Sequence, residues 1–121
     1  MAEIDKERLF LEVTSDQVKF YTFTLHALRI LTEKESSGPI SLEQAEEQLK
    51  KILAGLASRL DKSPVVMKKI EGDYQKTAAL IEAFRKSGSQ SQQKEEAEAL
   101  KVRAQEKIAT LSDLVAIFRS F

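Results

Sequence analysis

Few side chains in this sequence can do covalent chemistry. It has no cysteine and one histidine, His26. That excludes disulfides, thiolate zinc sites and cysteine nucleophiles, and any site built on two imidazoles. A nucleophilic triad needs an imidazole beside a hydroxyl and an orienting acid. One helical turn to either side of His26 stand Thr22, Phe23, Arg29 and Ile30, and none of these is an acid. No GxSxG, phosphate-binding-loop or GxGxxG string occurs. No Glu-x-x-His pair of the kind that holds two irons in a helical bundle occurs either. The sequence therefore predicts a non-enzymatic protein with no metal, no cofactor and no small-molecule substrate.

The acids read as solvated faces. Glu43, Glu46 and Glu47 share one helix face, and Glu95, Glu96 and Glu98 do so in part. They fall off the apolar stripes and beside Lys50, Lys51 and Lys101. Glu46–Lys50 and Glu47–Lys51 stand four apart in the favourable order, worth about 0.2–0.5 kcal/mol each.

His26 carries one sharper possibility. The string Leu25-His26-Ala27-Leu28-Arg29-Ile30 resembles the phosphoacceptor motif of histidine phosphotransfer domains, which are helical bundles. The likeness lies in His26, Leu28 and Arg29, and it covers about five residues. It departs at Ile30, where the family carries a small glycine that opens access to the imidazole. The resemblance implies a phosphoryl group received at His26 and held by Arg29, and this is the alternative function. A lone histidine at the edge of an apolar face is the plainer reading.

The elements that must position these residues are helices. Among 121 residues there are only four glycines and two prolines, while 31% are charged. So few breakers favour a few long elements over a sandwich or barrel with a turn every ~8–12 residues. The first segment, about 5–34, carries two adjacent stripes. One is Phe10, Val13, Phe20, Ala27 and Leu31; the other is Leu11, Val18, Tyr21, Leu25 and Leu28. Together they predict a helix that packs on more than one neighbour. Thr14 and Gln17 have capping-box spacing, which leaves open whether this segment is one helix or two. Val18–Thr24 also has strand propensity, outweighed by the helical spacing around it.

Ser36-Ser37-Gly38-Pro39 predicts a loop, and Ser41 with Gln44 a capping box opening the second helix. Leu42, Ala45, Leu49, Ile52, Leu53, Leu56 and Leu60 form its stripe, interrupted by Gly55, which would let a neighbouring helix come close. Ser63-Pro64 opens the third helix, with an inner stripe of Met67, Ile70, Tyr74, Thr77, Ile81 and Phe84, widened by Val66 and Leu80. A polar linker at about 87–93 precedes the fourth helix, about 94–119. Its stripe is Ala97, Leu100, Ala104, Ile108, Leu111, Val115 and Phe118, with most of the burial expected after Ile108. The whole chain, 1–121, is read as one all-α domain: an up-down bundle of four amphipathic helices with long first and last helices. The ends of the longer pair are expected to project past the shorter pair.

Function then rests on surfaces. Lysine plus arginine and aspartate plus glutamate number 19 each, which removes the global electrostatic case for nucleic acid or a membrane surface. The third helix is mildly basic, but without the stacking aromatics or arginine runs of a nucleic-acid surface. No stretch approaches the ~18 apolar residues of a spanning helix. Charges at Glu3, Asp5, Lys6, Glu7 and Arg8 break any secretory-signal pattern, so a cytoplasmic protein is expected. Phe20, Tyr21 and Phe23 cannot all point one way on a helix at ~100° per residue. Some therefore meet a second surface, and the aromatic C-terminus suggests the same. The predicted function is a protein–protein interaction module, whether adaptor, assembly subunit or small chaperone-like factor. It would bind another protein or a second copy of itself through Phe20, Phe23, Ile117, Phe118 and Phe121.

Overall fold

A computed structural model describes the backbone of residues 2–33, 41–61, 63–87 and 91–120. These form four helices: α1 (Ala2–Glu33), α2 (Leu42–Arg59), α3 (Pro64–Ser87) and α4 (Ser91–Arg119). α1 is one continuous helix of 32 residues, through both Thr14 and the β-branched run that follows. Thr14 lies buried in its middle. Thr22 and Thr24 adapt by turning their hydroxyls back onto the Val18 and Phe20 carbonyls, at 2.7 and 2.9 Å. A threonine that donates to the carbonyl four residues earlier is accommodated inside a helix.

α2 starts as its sequence predicts. The Ser41 hydroxyl accepts from the Gln44 N–H at 3.2 Å, and the Gln44 amide oxygen accepts from the Ser41 N–H at 2.8 Å. This capping box satisfies two backbone donors that would otherwise lack partners. The 36–39 loop lies outside the described residues. α3 runs to Ser87 and α4 begins at Ser91, so the helices take both ends of the expected 87–93 linker. Nothing in 91–93, Ser-Gln-Gln, stops a helix as Gly or Pro would.

Two core layers fix the helix directions. The lower joins Val13, Phe20 and Tyr21 of α1 to Leu49 and Leu56 of α2, Met67 and Ile70 of α3, and Ala104 of α4. The upper joins Ala27, Leu28 and Leu31 to Ala45, Leu80, Ile81 and Ala97. Residue numbers rise from lower to upper layer in α1 and α3 and fall in α2 and α4. The bundle is therefore up-down-up-down. α1 packs on all three other helices, most extensively on α4 and α2, whereas α2 and α4 do not meet among the described residues. Alanines make the α1–α4 seam tight: Ala97 and Ala104 are buried and present almost no side-chain bulk.

The burial of α4 departs from the expectation in part: Ile108 and Leu111 pack on the lower layer only partly buried. Its buried positions, Ala97, Lys101 and Ala104, lie in the alanine-rich first half, while Leu114 and Ile117 in the second half are exposed. The reason is register. The lower layer ends near Leu56, Leu60 and Met67, where α2 gives way to α3, and Leu111 is the last described α4 residue packed on it. Val66 and Phe10 are also exposed at this end.

Gly55 does not serve a close helix approach. It is exposed, and a Cβ there or at Gly72 would meet nothing within 4 Å. Both lie inside helices, where Gly costs ~1 kcal/mol relative to Ala. Gly55→Ala and Gly72→Ala are each expected to raise the unfolding free energy by about 0.5–1 kcal/mol, read as a higher urea midpoint at unchanged slope.

Candidate functional site

Three helices meet at a buried carboxylate. Asp73 of α3 is 5% exposed. The Tyr21 hydroxyl of α1 donates to its Oδ2 at 2.6 Å. Arg103 of α4 donates through Nε to Oδ1 at 2.9 Å and through Nη2 to Oδ2 at 3.3 Å. The Arg103–Asp73 contact is the two-pronged geometry that suits guanidinium to carboxylate. One turn on, the Thr77 hydroxyl donates to the Asp73 carbonyl at 2.9 Å. Phe20, fully buried, meets the Tyr21 ring edge-on at 5.2 Å between centroids. No buried side-chain nitrogen or oxygen lacks a partner among the described residues. This clasp joins α1, α3 and α4 at one level. It offers no free nucleophile or base, so its chemistry is positional.

Burial, reinforced by the hydrogen bond to Asp73 and by its charge, pushes the Tyr21 phenol above its ordinary range. The hydrogen bonds from Arg103 to Asp73, and then the carboxylate charge, likewise raise the guanidinium. The folded chain therefore holds the Tyr21 proton more tightly than the unfolded chain does. That contribution to stability is complete below the unfolded phenol value of about 10 and is lost as pH rises beyond it. Unfolding free energy measured from about pH 9 to 12 is expected to fall more steeply for the wild type than for Tyr21→Phe. Parallel curves would show that the phenol is not held in this way.

Further ion pairs tie helix to helix. Arg85 of α3 donates to both carboxylate oxygens of Glu46 on α2, each at 3.3 Å. Glu46 thus leaves Lys50 for a partner on another helix, while Glu47–Lys51 forms as expected at 3.5 Å. Lys101, expected on a wet face, is buried between Ala97 and Ala104, with its ammonium 3.5 Å from Glu98. Its aliphatic stem covers the seam. Arg59 at the end of α2 pairs with Asp16 and lies 4.0 Å from Glu12.

The predicted partner residues separate. Phe20 is a core residue, not a surface one: it is 0% exposed in the lower layer. Phe23 is partly buried against the same layer. Both are absorbed because α1 is flanked by α2 and α4 and faces α3, so a wide aromatic face finds cover within the bundle. Ile117 is 55% exposed. The Phe118 side chain and Phe121 lie outside the described residues. His26 is half-buried, its ring tilted 56° to Phe23 with centroids 6.3 Å apart, and Arg29 is exposed one turn on. Among the described residues, no group of three His, Asp or Glu side chains can hold a metal ion, and no helix is long and apolar enough to cross a membrane.

What stays uncovered is the end of the bundle where α1 starts and α4 finishes. Arg59, in the last turn of α2, reaches Glu12 and Asp16. α1 residues 2–11 therefore run on past α2 for about 15 Å at ~1.5 Å per residue. α4 finishes at the same end: Arg119 lines a shallow cavity with Leu11, Glu12 and Asp16 of α1 and Arg59 of α2. Around this end, which we call the α1–α4 arm, Leu9, Phe10, Leu114 and Ile117 are exposed, as are Val65 and Val66 at the start of α3. The sequence analysis expected the long helices to project and named Ile117, which is exposed. It missed Leu9 and Phe10 as surface residues, since Phe10 falls on a stripe that is buried only where α2 and α3 are present.

The chain matches no protein-family model, no curated protein and no solved structure.

Proposed function

We propose that this protein is a non-enzymatic assembly module, and that its primary interface joins two copies of the chain through the α1–α4 arm. One observation carries the reading: the arm is a helix pair whose apolar residues Leu9, Phe10, Leu114 and Ile117 are exposed where α2 and α3 have ended. Along the rest of the bundle the same two helices are covered by two more. A second arm brings two helices of equal length and equal apolar content, which would complete a four-helix core across a two-fold axis. Charge does not oppose it, because the formal net charge is zero and self-repulsion is minimal. Val65 and Val66 at the root of the arm extend the apolar surface toward the partner's tip.

Solution mass against concentration tests this. Light scattering is expected to show twice the 13.6 kDa chain mass at high concentration, falling toward one chain on dilution. A mass of one chain throughout would overturn self-assembly and leave the arm to a helical segment of a different protein.

A further inference from the structure

A second surface lies between α3 and α4, on the flank of α4 beside the tight α1 seam. α3 and α4 pair far less closely than α1 and α4, and between them runs an open groove of about 660 Å³. Ala79, Leu80 and Ala83 of α3 and Ala99 and Leu100 of α4 line it. Alanine walls admit close approach by another backbone, and the two leucines give the floor apolar depth. The groove is electrically polarised. At one end stand Lys76 and Arg103, and at the other Glu96. Glu96 and Arg103 are seven residues apart on α4, about 10 Å along the axis.

The cations at the first end are available. Lys76 is exposed and has no ion pair among the described residues. Arg103 uses Nε and Nη2 on Asp73, and 45% of its side chain is exposed. The Asp73 clasp holds that guanidinium in place, so a ligand would lose little entropy in fixing it.

We propose that the α3–α4 groove is a docking site for an amphipathic helix of a partner protein. Its ridge of small and medium apolar residues seats on Ala79, Ala83 and Ala99 over Leu80 and Leu100. An acidic side chain reaches Lys76 and Arg103, and a basic one, two turns away, reaches Glu96. This is helix-in-groove recognition with apolar anchors for affinity and terminal charges for direction. The site is separate from the arm, so it joins a heterologous partner to whatever the arm assembles.

The probe is a fluorescein-labelled helical peptide of about 16 residues, with an alanine–leucine ridge at three- and four-residue spacing. It carries Glu at one end of the ridge and Lys seven residues on. The control carries Lys in place of that Glu, since merely exchanging the two charges would let the helix bind reversed. Anisotropy is expected to show the Glu peptide binding at least about tenfold more tightly than the control. Lys76→Glu, at an exposed position, is expected to remove most of that preference. Ala79→Trp, which fills the groove from an exposed position, is expected to abolish binding of both peptides. Ile117→Asp, on the arm, is expected to leave binding unchanged, which separates this site from the self-assembly interface. Absence of Glu-peptide binding, equal binding of the two peptides, or binding insensitive to Ala79→Trp would each overturn the proposal.

Discussion

Arg103→Leu is expected to destabilise the fold by about 3 kcal/mol, the lower end of the range for stripping one partner from a buried pair. The size is unexpected for a residue whose side chain is 45% exposed, since surface ion pairs contribute only ~0–1 kcal/mol. The difference lies in what is left behind. Asp73 is 5% exposed and its carboxylate would keep a single side-chain donor, Tyr21. A buried charge with most of its partners removed bears its desolvation cost alone. Solvent already reaches the guanidinium, which is why the low end of the range applies.

The same logic orders the variants. Asp73→Ala removes the charge itself, strands only the Tyr21 hydroxyl and frees Arg103 to turn into water. It should cost less than Arg103→Leu, about 1–3 kcal/mol for the unsatisfied buried donor. The double variant Arg103→Leu with Asp73→Asn leaves a neutral amide that still accepts from Tyr21, and should recover most of the loss. Urea unfolding of these variants, with Asp73→Asn alone added to close the cycle, gives the coupling directly. A cost below about 1 kcal/mol for Arg103→Leu would make the clasp an ordinary surface pair. A double variant no better than the single would show that packing of the arginine stem, not charge, is what the site needs.

The clasp also shows where sequence reading stops. The helices were legible because their signals are local. Ser41 and Gln44 are three residues apart, Ser63-Pro64 is a dipeptide, and the α2 stripe repeats every three or four residues. Tyr21, Asp73 and Arg103 come from three helices, separated by 52 and 30 residues, and no spacing rule links them. A signal was present all the same. Asp73 falls between Ile70 and Thr77 on the inner stripe of α3, and Lys101 between Ala97 and Ala104 on that of α4. A charged residue on an apolar stripe implies a partner from another helix. Phe20 illustrates the converse error. Its neighbours on a wide aromatic face made a second surface necessary, but α2 and α4 supplied it. Register explains α4. Bulky apolar residues from Ile108 on promised burial, yet burial depends on how far the shared core layer extends, which the periodicity of α4 alone does not record.

Ile117→Asp, alone or with Leu114→Asp, is expected to convert a concentration-dependent dimer into a monomer without unfolding it. Both side chains are exposed in the single chain, so a carboxylate at either position stays hydrated there and the bundle keeps its core. Across a two-fold axis each substitution enters the interface twice. At ~1–3 kcal/mol for each polar group buried without a partner, one substitution weakens pairing by about 2–6 kcal/mol. Even the lower figure is more than a tenfold rise in dissociation constant, and the upper is about four decades. Leu9→Asp on the other helix of the arm should act in the same direction, whereas Val102→Asp, an equally exposed apolar position well up α4, should not. Mass action supplies a second readout, because pairing that requires the folded state raises its melting temperature with concentration. The wild type should show that dependence and Ile117→Asp should not, while their melting curves converge at high dilution. If Ile117→Asp melted lower than the wild type at every concentration, the exposed end of α4 would belong to the monomer's own packing. If Val102→Asp dissociated the dimer as readily as Ile117→Asp, the contact would lie along the flank of α4 and not at the arm.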